Sequence, residues 1–373
     1  MTSCLSRRIC GRTGIDPMAD NALIVEKRLV EQLSLVSPWR IIRAYEWWEF
    51  KLVPVLSAFY ATALILDVPA SAIWRGALMA LGAIVPAAVY ASVINDLTDL
   101  EDDLAFGKPN RLAGRSPLLG LTLIILSSGA LAVISYSWRH NGVLLSLYVA
   151  VWLAFSLYSL PPFRLKKRGF LGILSCASGE HLFPTLLAVM LAFREAQRPN
   201  NSVWLIIVGT WAFANGVRAI LWHQLTDIDA DHAVGARTFA TRHSRLAMFG
   251  GTWVAFPTEL LAFTAMLVQM RSWWPVAAVG AYVPMVALRI RWRRIRYVIV
   301  TPKPRALFLM NELNIVLLPI AILVASALRH RSDWIVLGVH FLIFPANVAA
   351  TSRATFNFAR TALNATVKLA RAA

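Results

Sequence analysis

Charge is scarce in this chain. Only 15% of its 373 residues are charged, and just 20 are acidic, where a soluble domain carries about a quarter charged residues. That scarcity argues against a water-soluble globule, and 58% apolar side chains argue for a membrane protein. Cysteine is nearly absent as well. Cys4, Cys10 and Cys176 form no CxxC pair and no metal-ligand spacing, which argues against a thiolate metal site. Residues 1–36 lack the apolar stretch of a signal peptide, and Met18 opens a second segment that reads as a start. No basic run is joined to an exposed soluble module, so the net charge of +17 is not read as nucleic-acid binding.

What the chain does have is long apolar runs. They cover residues 50–66, 77–95, 117–136, 143–160, 171–193, 203–222, 247–269, 273–290 and 306–327. A further run, 334–350, is long enough to cross a bilayer or to lie in its interface. Lipid admits only helices and closed barrels, and uninterrupted runs of this length mean helices. The predicted fold is therefore all-α, a polytopic transmembrane bundle of about nine spans with a candidate tenth. Residues 1–39 form an N-terminal cytoplasmic tail, 40–330 the membrane domain, and 331–373 an extra apolar segment with a basic tail. In that tail Arg353, Arg360, Lys368 and Arg371 fall on one side of a helix, which suits a surface helix or a disordered tail equally.

Lys and Arg crowd the loops that follow the even-numbered spans, by roughly two to one over the alternate loops. That bias places the N-terminus and the even-to-odd loops in the cytoplasm. The tryptophans Trp47, Trp48, Trp222, Trp273 and Trp274 read mostly as an interfacial belt.

Against this background two dense acidic clusters stand out, each where an apolar run ends. The first is Asn95-Asp96-Leu97-Thr98-Asp99-Leu100-Glu101-Asp102-Asp103. Asp96, Asp99 and Asp103 are spaced i, i+3, i+7, so a helix puts them on one face with Asn95 at its edge, while Glu101 points away. The second runs from His223 to Asp231; His223, Asp227 and Asp231 at i, i+4, i+8 make another stripe, with Asp229 facing elsewhere. Like charges on a stripe repel unless a cation sits between them, and hard divalent ions with oxygen ligands do that. Either cluster alone reads as an acidic helix cap. Two of them, at matched span ends on the same side, read as a pair of Mg²⁺ sites flanking a diphosphate. Basic residues follow each one: Lys108, Arg111 and Arg115 after the first, Arg237 after the second, with a third patch from Arg164 to Arg168. They suit phosphate oxygens as well as cytoplasmic anchoring.

With these residues in view the chain resembles the UbiA superfamily of intramembrane prenyltransferases. The family's NDxxDxxxD is matched by Asn95, Asp96, Asp99 and Asp103, and its DxxxD by Asp227 and Asp231 with Gly235 and Thr238 beyond. The KPxR element appears as Lys108, Pro109 and Arg111, and YSxPPxxLKxxG as Tyr158, Ser159, Pro161, Pro162, Leu165, Lys166 and Gly169. Arg43, Trp47, Lys51 and Pro54 look like the family's first helix. The resemblance spans residues 40–330.

It implies a helix bundle around a lipid-facing cavity, with Mg²⁺ as cofactor and a polyprenyl diphosphate donor. Ionisation of that donor gives an allylic cation, captured by a hydrophobic or aromatic acceptor. Asp96, Asp99, Asp227 and Asp231 are the expected catalytic carboxylates. Asn95, Asp96, Asp99 and Asp103 would hold one metal, Asp227 and Asp231 a second. Lys108, Arg111, Lys166 and Arg237 are expected on the diphosphate. Glu180, His181 and His223 are acceptor candidates: an ionisable pair in the middle of a span is costly, so Glu180 and His181 either contact the acceptor or satisfy each other between helices. His223 is either a base or, more in keeping with its spacing, a partner of Asp227. The rival readings are a UbiA-type terpene cyclase, phosphoribosyl transfer to polyprenyl phosphate, a cation transporter, and a lipid-binding membrane protein. The expected location is an integral, multi-pass place in the cell membrane, with active-site loops in the cytoplasm.

Overall fold

The computed structural model describes residues 38–105, 107, 109–233, 235–301, 306–356 and 360. Lys108, the tail up to residue 37, and Lys368 and Arg371 lie outside the described residues. Eight helices are long and apolar enough to cross a membrane: α1 Ala44–Ile65, α2 Trp74–Ala105, α3 Pro117–Ser137, α4 Gly142–Ser159, α5 Phe170–Glu195, α6 Ser202–Thr226, α7 Phe239–Met270 and α8 Trp273–Trp292. A shorter apolar helix follows, α9 Leu313–Arg329, and then a pair, α10 Asp333–Ile343 and α11 Pro345–Phe356. Several starts are written in the sequence. Ser116, Asn141 and Asn201 each precede a helix and accept a hydrogen bond from its first turn, as N-caps do.

The bundle is built around α1. In its apolar window 78% of residues are buried, against 11% for α3. A water-soluble protein does not leave a helix like α3 bare, with Leu118, Leu121, Ile125, Leu126 and Val133 all exposed; lipid is the solvent that accepts it. α1 lies against α5 and α9, α2 against α3 and α5, and α6 against α5 and α7. The chain is an integral, multi-pass membrane protein.

Two of the expected spans differ. The run 306–327 does not begin as helix. Residues Ala306–Phe308 form β2, which pairs in parallel with β1, Arg296–Val298, and the helix starts only at Leu313. The run 334–350 is not one straight span, because α10 and α11 meet at 86°. Pro345 opens α11, and proline cannot continue the helix before it. The groups freed at this break are taken up by α1. The Trp48 indole N–H donates to the Ile343 carbonyl at 2.9 Å. The Glu49 carboxylate accepts the N–H groups of Ala346 and Asn347 at 2.7 and 2.6 Å. Trp47 likewise donates to the Ile42 carbonyl at 2.8 Å, so these two tryptophans are not simple belt residues.

Deep between α6 and α7 lies an ion pair absent from the sequence reading. Arg218 and Glu259 are both fully buried and meet in a fork, at 2.6 and 3.0 Å. The guanidinium also donates to the carbonyls of Ile299 and Leu309 at 3.3 and 2.9 Å and stacks on Phe308 at 4.0 Å. One buried cation thereby ties two helices to the strand-bearing segment between α8 and α9.

Candidate functional site

The first acidic cluster lies on the last turns of α2. This helix has 32 residues, about 48 Å at 1.5 Å per residue, so it overshoots a hydrocarbon core of about 30 Å. The overhang carries Asn95, Asp96, Asp99 and Asp103 on unbroken helix, while Glu101 is exposed on another side.

Three segments converge on that overhang. From the start of α1, Arg43 reaches Asp96 Oδ1 at 3.4 Å and pairs with Glu46 at 2.9 Å. From the α2–α3 loop, the Asn110 amide donates to the Asp96 carbonyl and to Asp103 Oδ2, both at 2.8 Å. In the same loop Arg111 donates to the Tyr45 hydroxyl at 2.7 Å and to Glu46 at 2.8 Å. Burial opposes the charge on Arg111, but Tyr45 and Glu46 beside it outweigh that and hold its pKa above the usual guanidinium value.

The third segment is the α4–α5 loop. Lys166 donates to Asn95 Oδ1 at 2.9 Å and to Asp99 Oδ2 at 2.6 Å. Arg164 meets Asp99 at 2.9 Å and Asp102 at 3.2 Å, and Lys167 meets Asp102 at 2.7 Å. The loop folds tightly onto the start of α5, where position 172 is glycine: a Cβ there would stand 2.7 Å from the Leu165 carbonyl oxygen. Burial pulls the Lys166 ammonium below the usual lysine range, against the opposing pull of Asp99. An amine so placed gives up its proton, and its grip on anions, earlier as pH rises.

The second cluster is less regular than its spacing predicts. α6 ends at Thr226, Asp227 caps it, and a short helix, Ile228–Ala233, carries Asp229 and Asp231. The stripe from His223 to Asp231 is therefore bent at Asp227 rather than continuous. Asp227 is exposed, and its N–H still donates to the His223 carbonyl at 3.0 Å. No hydrogen bond joins the His223 ring to the Asp227 carboxylate among the described residues. Arg237 is exposed, with no hydrogen bond or ion pair among the described residues.

Tyr158, at the end of α4, is near enough to Asp99 of the first cluster, Asp231 of the second and Glu180 of α5 to feel the charge of each. Glu180 and His181 sit in a π-helical turn, Ser178–Leu182, that interrupts α5; such one-turn bulges recur at functional sites. Lys51 of α1 donates to Glu180 and lies 3.3 Å from His181 Nε2. His223 feels the charges of Lys51, Glu180 and Asp227. Glu180, His181 and Lys51 are thus brought together, with His223 near enough to feel the charges of Lys51 and Glu180.

Among the described residues no three carboxylate, histidine or cysteine side chains converge enough to hold a metal ion by themselves. Mg²⁺ rarely asks for that: it takes one or two carboxylates and completes its shell with water and phosphate oxygen. The donors here are hard oxygens, and one of them, Asp96 Oδ2, is buried without a hydrogen-bond partner among the described residues. The set fits the ion.

Reading the sequence alone missed Arg43, Asn110 and Arg164 as contacts of the acidic turn. Arg43 and Lys51 are already marked by the first-helix pattern, but not as contacts of the acids: Arg43 precedes α1 in a left-handed conformation, where helical spacing does not say which way it points. Asn110 had no comparable signal, since the bond it makes depends on how the loop folds back.

Comparison with known proteins agrees with this architecture. Two solved structures of a UbiA homolog from Archaeoglobus fulgidus, one bound to GPP and Mg²⁺ and one to DMAPP and Mg²⁺, superpose with a TM-score of 0.50 each. They cover 82% of this chain and 99% and 98% of the homolog, at 14% and 15% identity, so the likeness is one of fold. Two Humulus lupulus proteins, a chloroplastic 2-acylphloroglucinol 4-prenyltransferase and a second 2-acylphloroglucinol 4-prenyltransferase, are each 30% identical over 175 residues. That segment is 44% of this chain, and the chain spans about two fifths of the length of these relatives, 41%. The UbiA prenyltransferase family matches residues 53–313, a stretch that runs from α1 to the start of α9 and takes in both acidic clusters, and on that match the chain belongs to the UbiA prenyltransferase family.

Proposed function

We propose that this protein transfers an isoprenyl group from a prenyl diphosphate to an aromatic acceptor within the membrane, with Mg²⁺ as its cofactor. The observation that carries this reading is the acidic overhang of α2, where a buried carboxylate oxygen of Asp96 lacks a partner and Lys166, Arg164 and Arg43 gather around the neighbouring acids. The ligands bound in the homolog's structures, GPP or DMAPP with Mg²⁺, are in keeping with it, as is the aromatic acceptor in the names of the Humulus proteins.

In this reading Asn95, Asp96, Asp99 and Asp103 hold one Mg²⁺, and Asp227 and Asp231 another. Bound metal supplies charge neutralisation for the departing diphosphate. Lys166, Arg111, Arg237 and Lys108 hold phosphate oxygens, with Lys166 shifting from Asp99 to the ligand. The isoprenoid tail lies among the helices beside lipid. The bundle excludes water, so the cation formed on ionisation meets the acceptor first. The overhang and the loops that cover it lie, in this reading, on the cytoplasmic side of the cell membrane, the side that the excess of Lys and Arg in those loops favours.

The test is pyrophosphate release by protein in nanodiscs, supplied with geranyl, farnesyl or longer diphosphates and a mixture of aromatic acceptors. Release should need both Mg²⁺ and an acceptor. EDTA should abolish it, and added Mg²⁺ restore it. Release with no acceptor, accompanied by a hydrocarbon or terpene alcohol, would make the protein a cyclase instead.

A further inference from the structure

Lys51, Glu180, His181 and His223 form a polar group between α1, α5 and α6, deeper in the bundle than the acidic overhang. Lys51 stands seven residues inside α1 from its start at Ala44, about 10 Å along the helix, and His223 four residues before Asp227, about 6 Å along α6. The donor chemistry proposed above does not use them.

Their charges are already balanced. Lys51 Nζ donates to Glu180 Oε2 and faces His181 Nε2 at 3.3 Å. An ammonium offers only hydrogens, so His181 Nε2 accepts and the imidazole is neutral, with its hydrogen on Nδ1. One cation and one anion therefore cancel. Arg43 and Arg111, the cations at the start of α1 and in the α2–α3 loop, are engaged by Asp96 and Glu46. No cation of this group is left for a second anion.

The arrangement is fixed by packing. His181 is buried and lies against Gly216 of α6, where a Cβ would come within 3.0 Å of its ring and 3.1 Å of the Ala177 backbone. Glu180, by contrast, keeps a third of its side chain exposed, at 34%; Lys51 donates to its Oε2, and the Cys176 thiol lies within hydrogen-bond reach of the same carboxylate. His223 is exposed nearby, with no hydrogen bond from its ring nitrogens among the described residues. The open positions of the group include an acceptor, the Glu180 carboxylate, and the His223 imidazole, which carries one donor and one acceptor when neutral.

We infer that this group is the acceptor subsite, and that it selects a neutral hydroxyarene over an aryl carboxylate. The inference rests on the prenyl-transfer reading. A phenolic O–H donates to the Glu180 carboxylate and adds no charge. A carboxylate would stand beside Glu180 with Lys51, the cation bonded to it among the described residues, already taken, and like charges in a low-dielectric interior repel strongly. Lys51 and Glu180 are then specificity-determining residues, acting through their mutual charge.

The experiment uses the full-length protein in nanodiscs with Mg²⁺ and a prenyl diphosphate, and compares 4-hydroxyacetophenone, 4-hydroxybenzoate and 4-methoxyacetophenone. The phenol should exceed the benzoate in kcat/KM by about tenfold or more, and the methoxy compound should be inert, since a buried acceptor group rejects a ligand without its donor. Glu180→Gln keeps the shape and releases the Lys51 charge, so it should move the ratio toward the benzoate by about tenfold or more. Lys51→Gln leaves the Glu180 charge uncancelled and should move it the other way. Opposite shifts from two contacting residues are not produced by loss of folding. Tryptophan fluorescence titrations with each arene, without donor, should give the same order. A wild-type preference for the benzoate, equal use of the methoxy compound, or an unchanged ratio in Glu180→Gln would overturn the inference. Failure of the prenyl-transfer reading looks different, as folded protein that releases no pyrophosphate with any arene; the titrations then still decide the subsite.

Discussion

Asp96→Asn should lower acceptor-dependent pyrophosphate release by about 10²–10³-fold, the usual effect of deleting one group that stabilises developing charge. The protein should still insert and keep its helical circular dichroism. Asp96 is 2% exposed, with one oxygen near Arg43 and the other unpartnered among the described residues. An amide of the same shape keeps the Asn110 contact, which uses the Asp96 main chain, but supplies a weaker metal ligand. The Mg²⁺ needed for half-maximal rate should rise as well. Asp227→Asn should behave alike, although Asp227 is exposed and caps α6 from outside. A variant at either position that keeps near-wild-type turnover would remove that carboxylate from the metal set.

Glu259→Ala should give the largest loss of stability. It strips the partner from Arg218, whose side chain is 0% exposed, and breaking one side of a buried ion pair costs about 3–5 kcal/mol. Against the usual marginal stability of about 5–15 kcal/mol, that is a large share. Thermal unfolding in detergent should shift down clearly, and expression should fall. The pair Arg218→Met with Glu259→Leu should recover much of the loss, because apolar replacements of similar volume often match a buried ion pair. What the pair cannot restore are the guanidinium's bonds to the Ile299 and Leu309 carbonyls. Hydrogen exchange in that segment should therefore stay fast in the double variant while the helices regain protection. A single Glu259→Ala variant as stable as wild type would mean that α6 and α7 hold together by apolar packing alone.

These two experiments fall on opposite sides of what the sequence could tell. The acidic turn of α2 was legible because one helix carries it: three aspartates at i, i+3, i+7 share a face wherever the helix goes. The apolar runs were legible for the same reason, since lipid imposes a length and a secondary structure on each. Arg218 and Glu259 were not, because a charge inside an apolar run has no meaning until its partner is found 41 residues away. The bend at Asp227 escaped too; α-helical spacing carries an extrapolated stripe straight through a cap. The ninth and tenth runs were legible as apolar segments but not in their detailed shape. Apolar composition marks a segment for burial, and Ala306–Phe308 is half-buried as strand while Phe344 is buried at a break. Neither needs to be a straight helix, because neighbouring side chains answer its main-chain groups.

The clamp that α1 places on that break bears on how the chain is made. α1 is threaded into the bilayer carrying Glu49 and Lys51, and neither has its partner yet. Translation must run on by 129 residues before Glu180 reaches Lys51, and by 297 before the Ala346 N–H reaches Glu49. Through that interval the nascent helix carries two polar side chains without the partners they meet in the finished bundle. The helix at the centre of the finished bundle is therefore made before the partners of its polar side chains, and a chain stopped short of residue 346 leaves Glu49 without the N–H groups it accepts in the finished fold.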